Sequence, residues 1–128
     1  MAERAVIEPR TRAEWRAWLE ANHATAQGVS VVYAKRRHAG PEDLDYEAIV
    51  LEALCFGWID STAGVVDERR VSLYVARRKR GSGWAATNKA RVERLLAEGL
   101  MAPAGLAMVE QARADGSWTL LDAAEAAR

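Results

Sequence analysis

The chain has 128 residues, of which 50% are hydrophobic and 28% are charged, and its formal net charge is zero. This balance is typical of one folded domain and argues against a disordered chain. No apolar run reaches the roughly 18 residues that a membrane span needs, and the charged N-terminus lacks the apolar segment of a signal peptide. One cysteine cannot form an internal disulfide, which is typical of the reducing cytosol, so we expect a cytoplasmic protein.

The charge is distributed unevenly along the chain. Residues 67–94 carry nine Lys or Arg against three Asp or Glu, a net charge of +6, and the segments 1–66 and 95–128 carry −3 each. A basic centre between acidic flanks favours a local site for an anion over attraction of the whole protein to nucleic acid.

The first half of the chain predicts a helix, a strand and a second helix. Thr11 begins a capping-box pattern ahead of the first helix. Trp15, Trp18, Leu19 and Asn22 follow at the spacing that places them on one face of this helix. The β-branched stretch VSVVYAKRR at 29–37 predicts a strand. A second helix, from about 46 to 56, has Asp45 as its N-cap and Gly57 as its left-handed end. Its buried stripe comprises Ile49, Val50, Ala53 and Leu54.

The second half of the chain predicts a hairpin followed by helices. Two segments with strand alternation, 58–67 and 70–78, flank a polar turn and indicate an antiparallel pair. Helices over about 87–99 and 102–116 follow, and the residues WTLLDAAEAAR are compatible with the start of one more. The inward face of the last full helix comprises Leu106, Val109 and Ala112. We therefore predict a single α+β domain, 1–128, with a small, mostly antiparallel sheet of about three strands packed against about four helices.

Cysteine and histidine offer little chemistry in this chain. Cys55 lies in the last turn of the second helix, where the partial negative charge of the helix end opposes a thiolate. We expect Cys55 to be a small core residue, since no base lies near it in sequence. His23 and His38 are fifteen residues apart and belong to no metal-ligand spacing. The sequence therefore predicts neither a metal site nor a cofactor.

The stretch ALCFGWIDSTAG joins the second helix to the hairpin. We expect Ala53–Trp58 to form the hydrophobic seam between the two elements. Strand alternation places Asp60 on the same face as Trp58, and Ser61 on the opposite face. Asp60 is a candidate ligand acceptor or general base; alternatively, it accepts hydrogen bonds from a loop or pairs with an arginine. No G-x-S-x-G elbow surrounds Ser61, which argues against a serine hydrolase.

The basic segment ARRKRGSGWAATNKARVER, residues 76–94, is the strongest candidate for a binding site. A turn with two glycines enters a helix, and the free backbone amides and positive dipole end of such a helix favour an anion. Arginine adds bidentate recognition of phosphate or carboxylate, although the spacing of a P-loop is absent. The candidate side chains are Arg78, Ser82, Trp84, Asn88 and Arg91. The alternative is a solvated basic edge strand that prevents edge-to-edge pairing.

Trp84 stands between a glycine and a helix start, beside arginines. We therefore predict that it is a platform for a ligand, whereas Trp15 and Trp18 belong to the core. We further predict that Asp60 and Ser61 face a polar pocket shared with the Arg78–Arg91 segment.

The stretches WRAWLEANH, LDYEAIVLEALCFGWIDS, SGWAATNKARVERLLAEGLMAPAG and ARADGSW form a specific combination that runs from Trp15 to Trp118. In this combination the sequence resembles the YdeI/OmpD-associated proteins, also named bacteriocin-protection proteins. The names of that family imply a role in resistance to antimicrobial peptides or an association with an outer-membrane porin, and the resemblance brings no established catalytic residue. The positions that match the polar residues of that family are Lys35, Asp60, Ser61, Arg78, Ser82, Trp84, Asn88 and Arg91.

The chain departs from the pattern of that family at three places. Arg77 and Arg80 stand where prolines are usual, and Ala85 stands where a capping serine is usual. The chain ends at Arg128, before the C-terminal helical region of many relatives. We therefore expect no role that depends on the rigid proline segment or on that C-terminal region.

Three functions are compatible with these residues. The first is a small stress- or resistance-associated protein that binds an anionic or polar small molecule, with Asp60 orienting the cluster. The second is a nucleic-acid-binding module that uses the basic segment 77–94 and Trp84. The third is an enzyme with Asp60 as general base and Lys35 or Arg78 as electrostatic stabiliser. We favour the first, expect no membrane partner, and leave a homodimer open.

Overall fold

The computed structural model describes residues 4–127, which form an α+β fold as predicted. In chain order the elements are β1 (Val6–Ile7), α1 (Arg12–Asn22), β2 (Gly28–Ala34), α2 (Tyr46–Cys55), β3 (Trp58–Val65), β4 (Arg70–Arg77), α3 (Ala86–Ala97), α4 (Pro103–Asp115) and α5 (Asp122–Ala126). Short 3-10 turns follow β2 and α4, at Arg36–His38 and Ser117–Thr119. No helix in this described part combines the length and the apolar character that crossing a membrane requires.

The sheet has the strand order β1-β2-β4-β3, in which β2, β4 and β3 are antiparallel and β1 is parallel to β2. The predicted hairpin is confirmed, because β3 and β4 pair from Trp58 opposite Arg77 to Val65 opposite Val71. The sequence did not predict β1, since it has only two residues and cannot show strand alternation. Its pairing with β2 makes the sheet mixed and adds one strand to the expected three.

Helix α2 lies at the centre of the fold and contacts α1, β3, α3 and α4. Its ends follow the local signals in the sequence. The Asp45 carboxylate accepts a 2.8 Å hydrogen bond from the Ala48 N–H, and Gly57 ends the helical segment in the left-handed region, with φ 76°. Every residue from Ile49 to Cys55 is buried, a wider surface than the predicted stripe, because neighbouring elements cover the helix on several sides.

Buried ion pairs that the sequence did not predict join α1 to α2. Glu52 is 2% exposed, and its carboxylate pairs with Arg12 and, at 2.8 Å, with Arg16. The indole N–H of Trp15, on the predicted face of α1, donates to the Ile49 carbonyl at 3.0 Å. Two cations thus compensate a carboxylate that burial would otherwise penalise strongly.

Helix α4 presents a different face to the core from the one that its sequence predicts. Val109 and Ala112 are buried as expected, but Leu106 is 39% exposed, and Gly105 takes its place. A Cβ atom at Gly105 would run into the carbonyl group of Cys55, so only glycine lets α4 approach α2 this closely. The close approach of the two backbones rotates the leucine out of the core.

Candidate functional site

Seven of the eight predicted site residues separate into two groups on opposite sides of the hairpin, and the eighth, Trp84, belongs to the core. In the pairing of β3 with β4, Asp60 lies opposite Val75, which is fully buried beneath the helices. Ile59 lies opposite Ala76, on the other face, and Ser61 lines the same groove as both, although the register of β3 shifts between Asp60 and Ala63. Asp60 and Ser61 thus lie on different faces, and the expected pocket shared by Asp60, Ser61 and the Arg78–Arg91 segment does not form.

The first group lies in a groove on the face of the hairpin that carries Ile59 and Ala76. We call it the Arg78 groove; it has a volume of about 350 Å³ and is lined by Ile59, Ser61, Ala76, Arg77, Arg78, Lys79, Ser82 and Gly83. Two predicted site residues, Ser61 and Ser82, thus lie with Arg78 as expected. The Ser61 hydroxyl lies 3.5 Å from the Tyr74 carbonyl, which is a long and weak hydrogen bond. The hydroxyl is therefore available to another donor or acceptor.

Arg78 is held in place by its own loop. Its backbone N–H bonds to the Gly57 carbonyl at 3.0 Å, and its Nη2 donates to the carbonyls of Ser82 and Gly83 at 3.2 and 2.6 Å. The guanidinium carbon lies 3.8 Å from the ring centroid of Trp84, a cation–π contact. Burial lowers the pKa of Arg78 from its ordinary value, and no carboxylate raises it again.

Trp84 is a core residue, which corrects the prediction that it is a ligand platform. The side chain is 2% exposed, and its ring lies 4.9 Å from that of Trp118, with the Arg78 guanidinium over it. A ring covered in this way offers no free face to a ligand. The local sequence does not predict this burial, because Trp118, which covers the ring, lies 34 residues further along the chain.

The protein itself occupies the helix start that was expected to attract an external anion. The Ala86 N–H, in the first turn of α3, donates to the Glu125 carboxylate at 2.9 Å, and Lys89 pairs with Asp122. Both acidic residues belong to α5. The anion at the N-terminus of α3 is therefore a side chain of this chain, a carboxylate in the position that the helix dipole favours.

The second group lies around the N-terminus of α2. Arg91 forms a double hydrogen bond with the Glu47 carboxylate, at 3.0 and 2.8 Å, and its Nη1 donates to the Asn88 side-chain oxygen at 2.6 Å. The hydrogen bond from Arg91 lowers the pKa of Glu47. Asn88 and Arg91 are thus brought together as expected, but Glu47 already neutralises the guanidinium.

Asp60 accepts a 3.0 Å hydrogen bond from the Tyr46 hydroxyl. Burial, followed by this hydrogen bond, raises the pKa of Tyr46. Asp60 therefore contacts the first residue of α2, whereas the structural alternative weighed from sequence was a bond from a loop or a pair with an arginine. Tyr46 was not singled out from the sequence, because a tyrosine at a helix start carries no motif.

Tyr46 and Lys35 line a second, larger cavity, which we call the tyrosine cleft. It has a volume of about 690 Å³ and lies between the end of β2, the turn that follows it and the start of α2. Its walls include Tyr33, Lys35, Arg36, Pro41, Tyr46 and Val71. Of the eight predicted residues only Lys35 lines this cleft directly, while Asp60 and Arg91 support it from behind through Tyr46 and Glu47.

The remaining candidate residues offer no reactive centre. Cys55 is fully buried as predicted, and burial, with the nearby Glu52 carboxylate, raises the pKa of its thiol to about 11. Such a thiol is protonated at neutral pH and is a poor nucleophile. Within residues 4–127, no three His, Cys, Asp or Glu side chains gather as metal ligands.

Comparison with known proteins adds a family. A family model described as a domain of unknown function (DUF8412) matches residues 7–108. The chain belongs to the DUF8412 family. No curated protein and no solved structure matches it. The DUF8412 match runs from β1 into α4 and includes both the Arg78 groove and the tyrosine cleft, whereas Trp118 and Glu125 lie beyond it.

Proposed function

We propose that the protein binds an anionic small molecule in the Arg78 groove. Arg78 holds a phosphate or carboxylate group there, and the hydroxyls of Ser61 and Ser82 complete the site. One observation carries the proposal: Arg78 is a half-buried guanidinium, and within residues 4–127 no carboxylate pairs with it.

The hydrogen bonds of Arg78 leave room for a ligand. An arginine has five N–H donors, and in Arg78 only those of Nη2 are used by the described residues. Each described side-chain nitrogen that is fully buried has a partner, so the unused Nε and Nη1 donors of Arg78 are reachable from outside. A partly desolvated charge without a counterion is costly, and an anion in the groove offsets that cost.

The rigidity of Arg78 favours tight recognition. The Trp84 ring and the carbonyls of Ser82 and Gly83 hold the guanidinium plane before any ligand arrives. A planar donor that is already oriented loses less conformational entropy when it grips a phosphate or carboxylate with two parallel bonds. Lys79, exposed at the rim of the groove, adds a second positive charge.

Neither alternative function has a comparable observation in its favour. The enzyme hypothesis needs Asp60 to converge with Lys35 or Arg78, but Asp60 bonds to Tyr46, and Arg78 lines a groove on the other face of the hairpin. The nucleic-acid hypothesis needs free cations along 67–94. Four of them form ion pairs: Arg70, Lys89, Arg91 and Arg94.

The proposal extends to the biological setting. We place the protein in the cytoplasm, as a relative of the YdeI/OmpD-associated proteins with a stress- or resistance-associated role. The residue pattern quoted from Trp15 to Trp118 and the single buried cysteine support this setting. A test is the growth of a deletion strain under antimicrobial peptides; unchanged sensitivity would contradict the resistance role and leave the binding proposal intact.

Thermal unfolding with inorganic phosphate, pyrophosphate and citrate tests the groove. We expect at least one anion to raise the melting temperature of the wild type by about 3 °C or more at saturation. Arg78→Lys keeps the charge but cannot form two parallel hydrogen bonds with the anion, so this variant should lose most of the rise in melting temperature. Ser82→Ala should lose part of the rise. Arg80→Ala removes one charge from the same segment outside the groove and should respond like the wild type.

Amide NMR shifts locate the bound anion. In the wild type the amides of Ser61 and Ser82 should shift on titration with the anion that stabilises the protein. If no anion stabilises the wild type, or if Arg80→Ala weakens the response as much as Arg78→Lys does, the Arg78 groove is not an anion site.

A further inference from the structure

The tyrosine cleft is a second cavity of ligand size, separate from the Arg78 groove. Its volume of about 690 Å³ falls in the range of about 300–1,000 Å³ that is common for small-molecule sites. No residue lines both cavities. The proposed anion site therefore leaves the cleft unexplained.

Charges of both signs line the cleft, and within residues 4–127 only the cations lack a partner. Three carboxylates line it, and each already accepts hydrogen bonds: Asp43 from the Gly40 N–H, Asp45 from the Ala48 N–H, and Glu47 from Arg91. By contrast, Lys35 and Arg36 have no ion pair or side-chain hydrogen bond with any residue of 4–127. The cleft thus has two free cations at one end.

The positive charge extends beyond these two residues. Next to Lys35 and Arg36, desolvation and then the positive charges of Arg69, Arg37 and Lys35 lower the pKa of His38. These cations contribute positive potential around His38. This end of the cleft therefore attracts an anionic group.

The walls of the cleft are suited to an aromatic ring of a ligand. Tyr33 is half-buried, whereas Tyr46 is 44% exposed even though Asp60 holds its hydroxyl at 3.0 Å. A large aromatic ring that is anchored at one end and open on the side facing a cavity is a pre-organised stacking surface. Pro41 and Val71 add apolar wall.

We infer that the tyrosine cleft binds a small aromatic anion. The ring of the ligand lies against Tyr33 and Tyr46, and its carboxylate or phosphate lies on Lys35 and Arg36. Neither half of such a ligand is enough alone: the cations are too exposed to retain a bare anion, and the rings are too open to retain a neutral aromatic.

Titration with phenyl phosphate, inorganic phosphate and benzyl alcohol separates these contributions. The readout is fluorine NMR of protein labelled with 3-fluorotyrosine, which places a probe on Tyr33 and Tyr46 in the cleft and on Tyr74 outside it. We expect phenyl phosphate to shift the two cleft signals, with an affinity at least about tenfold higher than that of either other compound. The signal of Tyr74 is the internal reference for effects outside the cleft.

Matched variants assign the anionic end. Arg36→Ala and Lys35→Ala should each weaken phenyl phosphate binding by about fivefold or more, since each removes a free cation. Arg37→Ala removes the same charge from the same exposed turn but does not line the cleft, and it should stay within about twofold of the wild type. All three positions are largely outside the core, so circular dichroism and melting temperature should be unchanged.

Several results would overturn the inference. These are the absence of shifts of the cleft signals at about 10 mM phenyl phosphate, equal affinity for benzyl alcohol, or equal losses in Arg36→Ala and Arg37→Ala. The two sites are tested independently, because Arg78→Lys should leave phenyl phosphate binding in the cleft unchanged. A fluorine shift of Tyr74 alone, together with amide shifts of Ser61 and Ser82, would support the Arg78 groove and reject the cleft.

Discussion

At Trp84 a guanidinium and a second indole cover a ring whose neighbours in sequence are typical of a binding loop. Arg78 lies over the ring at 3.8 Å, and Trp118 packs at 4.9 Å between ring centroids. The same arginine therefore packs against the core and is the residue that we propose binds the anion. Burial decides the role of the tryptophan, and the unused donors decide the role of the arginine.

Trp84→Ala should destabilise the protein about as much as Trp58→Ala. Both indoles are 2% exposed or less, and truncating a buried aromatic to alanine costs roughly 3–5 kcal/mol. That is a large part of the roughly 5–15 kcal/mol that stabilises a domain. Urea unfolding measures both losses, and Trp84→Phe should recover much of the stability because it keeps a ring beneath Arg78. A loss below about 0.5 kcal/mol in Trp84→Ala would show that the ring does not belong to the core.

At the scale of elements, α3 begins without a capping side chain of its own. Ala85 stands at the N-cap position, and the Glu125 carboxylate of α5 accepts the hydrogen bond from Ala86 instead. Lys89 strengthens the same contact, because it pairs with Asp122 and donates to the Trp118 carbonyl. The C-terminal helix thus completes the N-terminus of α3, although it is too short to bury much surface.

Glu125→Ala should cost about 0.5–2 kcal/mol, the usual loss when a helix cap is removed. Glu98→Ala is the matched control, because Glu98 is also exposed and its pairing with Arg94 is long, at 3.7 Å; its loss should stay below about 0.5 kcal/mol. Urea midpoints give the free energies, and hydrogen exchange at the Ala86 amide should accelerate in the first variant alone. Equal losses in both variants would mean that Glu125 contributes no cap.

At the scale of the whole molecule, part of the excess charge of the segment 67–94 is offset by ion pairs with the acidic flanks. Arg70 pairs with Glu8, and Arg91 with Glu47, in both cases a carboxylate from the acidic first part of the chain. Lys89 pairs with Asp122 from the acidic last part. Ion pairs between the parts of the chain therefore take up some of the uneven charge, and the cations of the segment 67–94 that form no ion pair with residues 4–127 are Arg69, Arg77, Arg78, Lys79 and Arg80.

Oligonucleotide binding should accordingly be weak. We expect dissociation constants above about 100 µM for single- and double-stranded DNA at physiological salt, at the weak end of non-specific binding. Fluorescence anisotropy over a salt series measures this. The double variant Glu47→Gln/Asp122→Asn releases two cations and should bind more tightly than the wild type. Micromolar binding by the wild type, with affinity falling linearly on a log–log plot against salt, would contradict the prediction.

The sequence by itself determined the elements whose causes lie within a few residues. Asp45 caps α2 through an amide three residues away, Gly57 ends it by adopting positive φ, and alternation on both sides of a polar turn forms the β3–β4 hairpin. These signals are local, so the rest of the chain does not alter them.

Only the tertiary structure decided which charges remain free, and with them the site. Glu52 meets Arg12 across 40 residues, Glu47 meets Arg91 across 44, and Glu125 meets Ala86 across 39. No periodicity or motif encodes such partners, since they depend on how helices pack and not on spacing along the chain. Packing removes Arg91 and Trp84 from the candidate ligands, whereas Arg78, Lys35 and Arg36 form no ion pair with residues 4–127. The carboxylates of Asp43 and Asp45, in the same cleft as Lys35 and Arg36, accept from backbone N–H groups instead, because the chain folds these amides onto them.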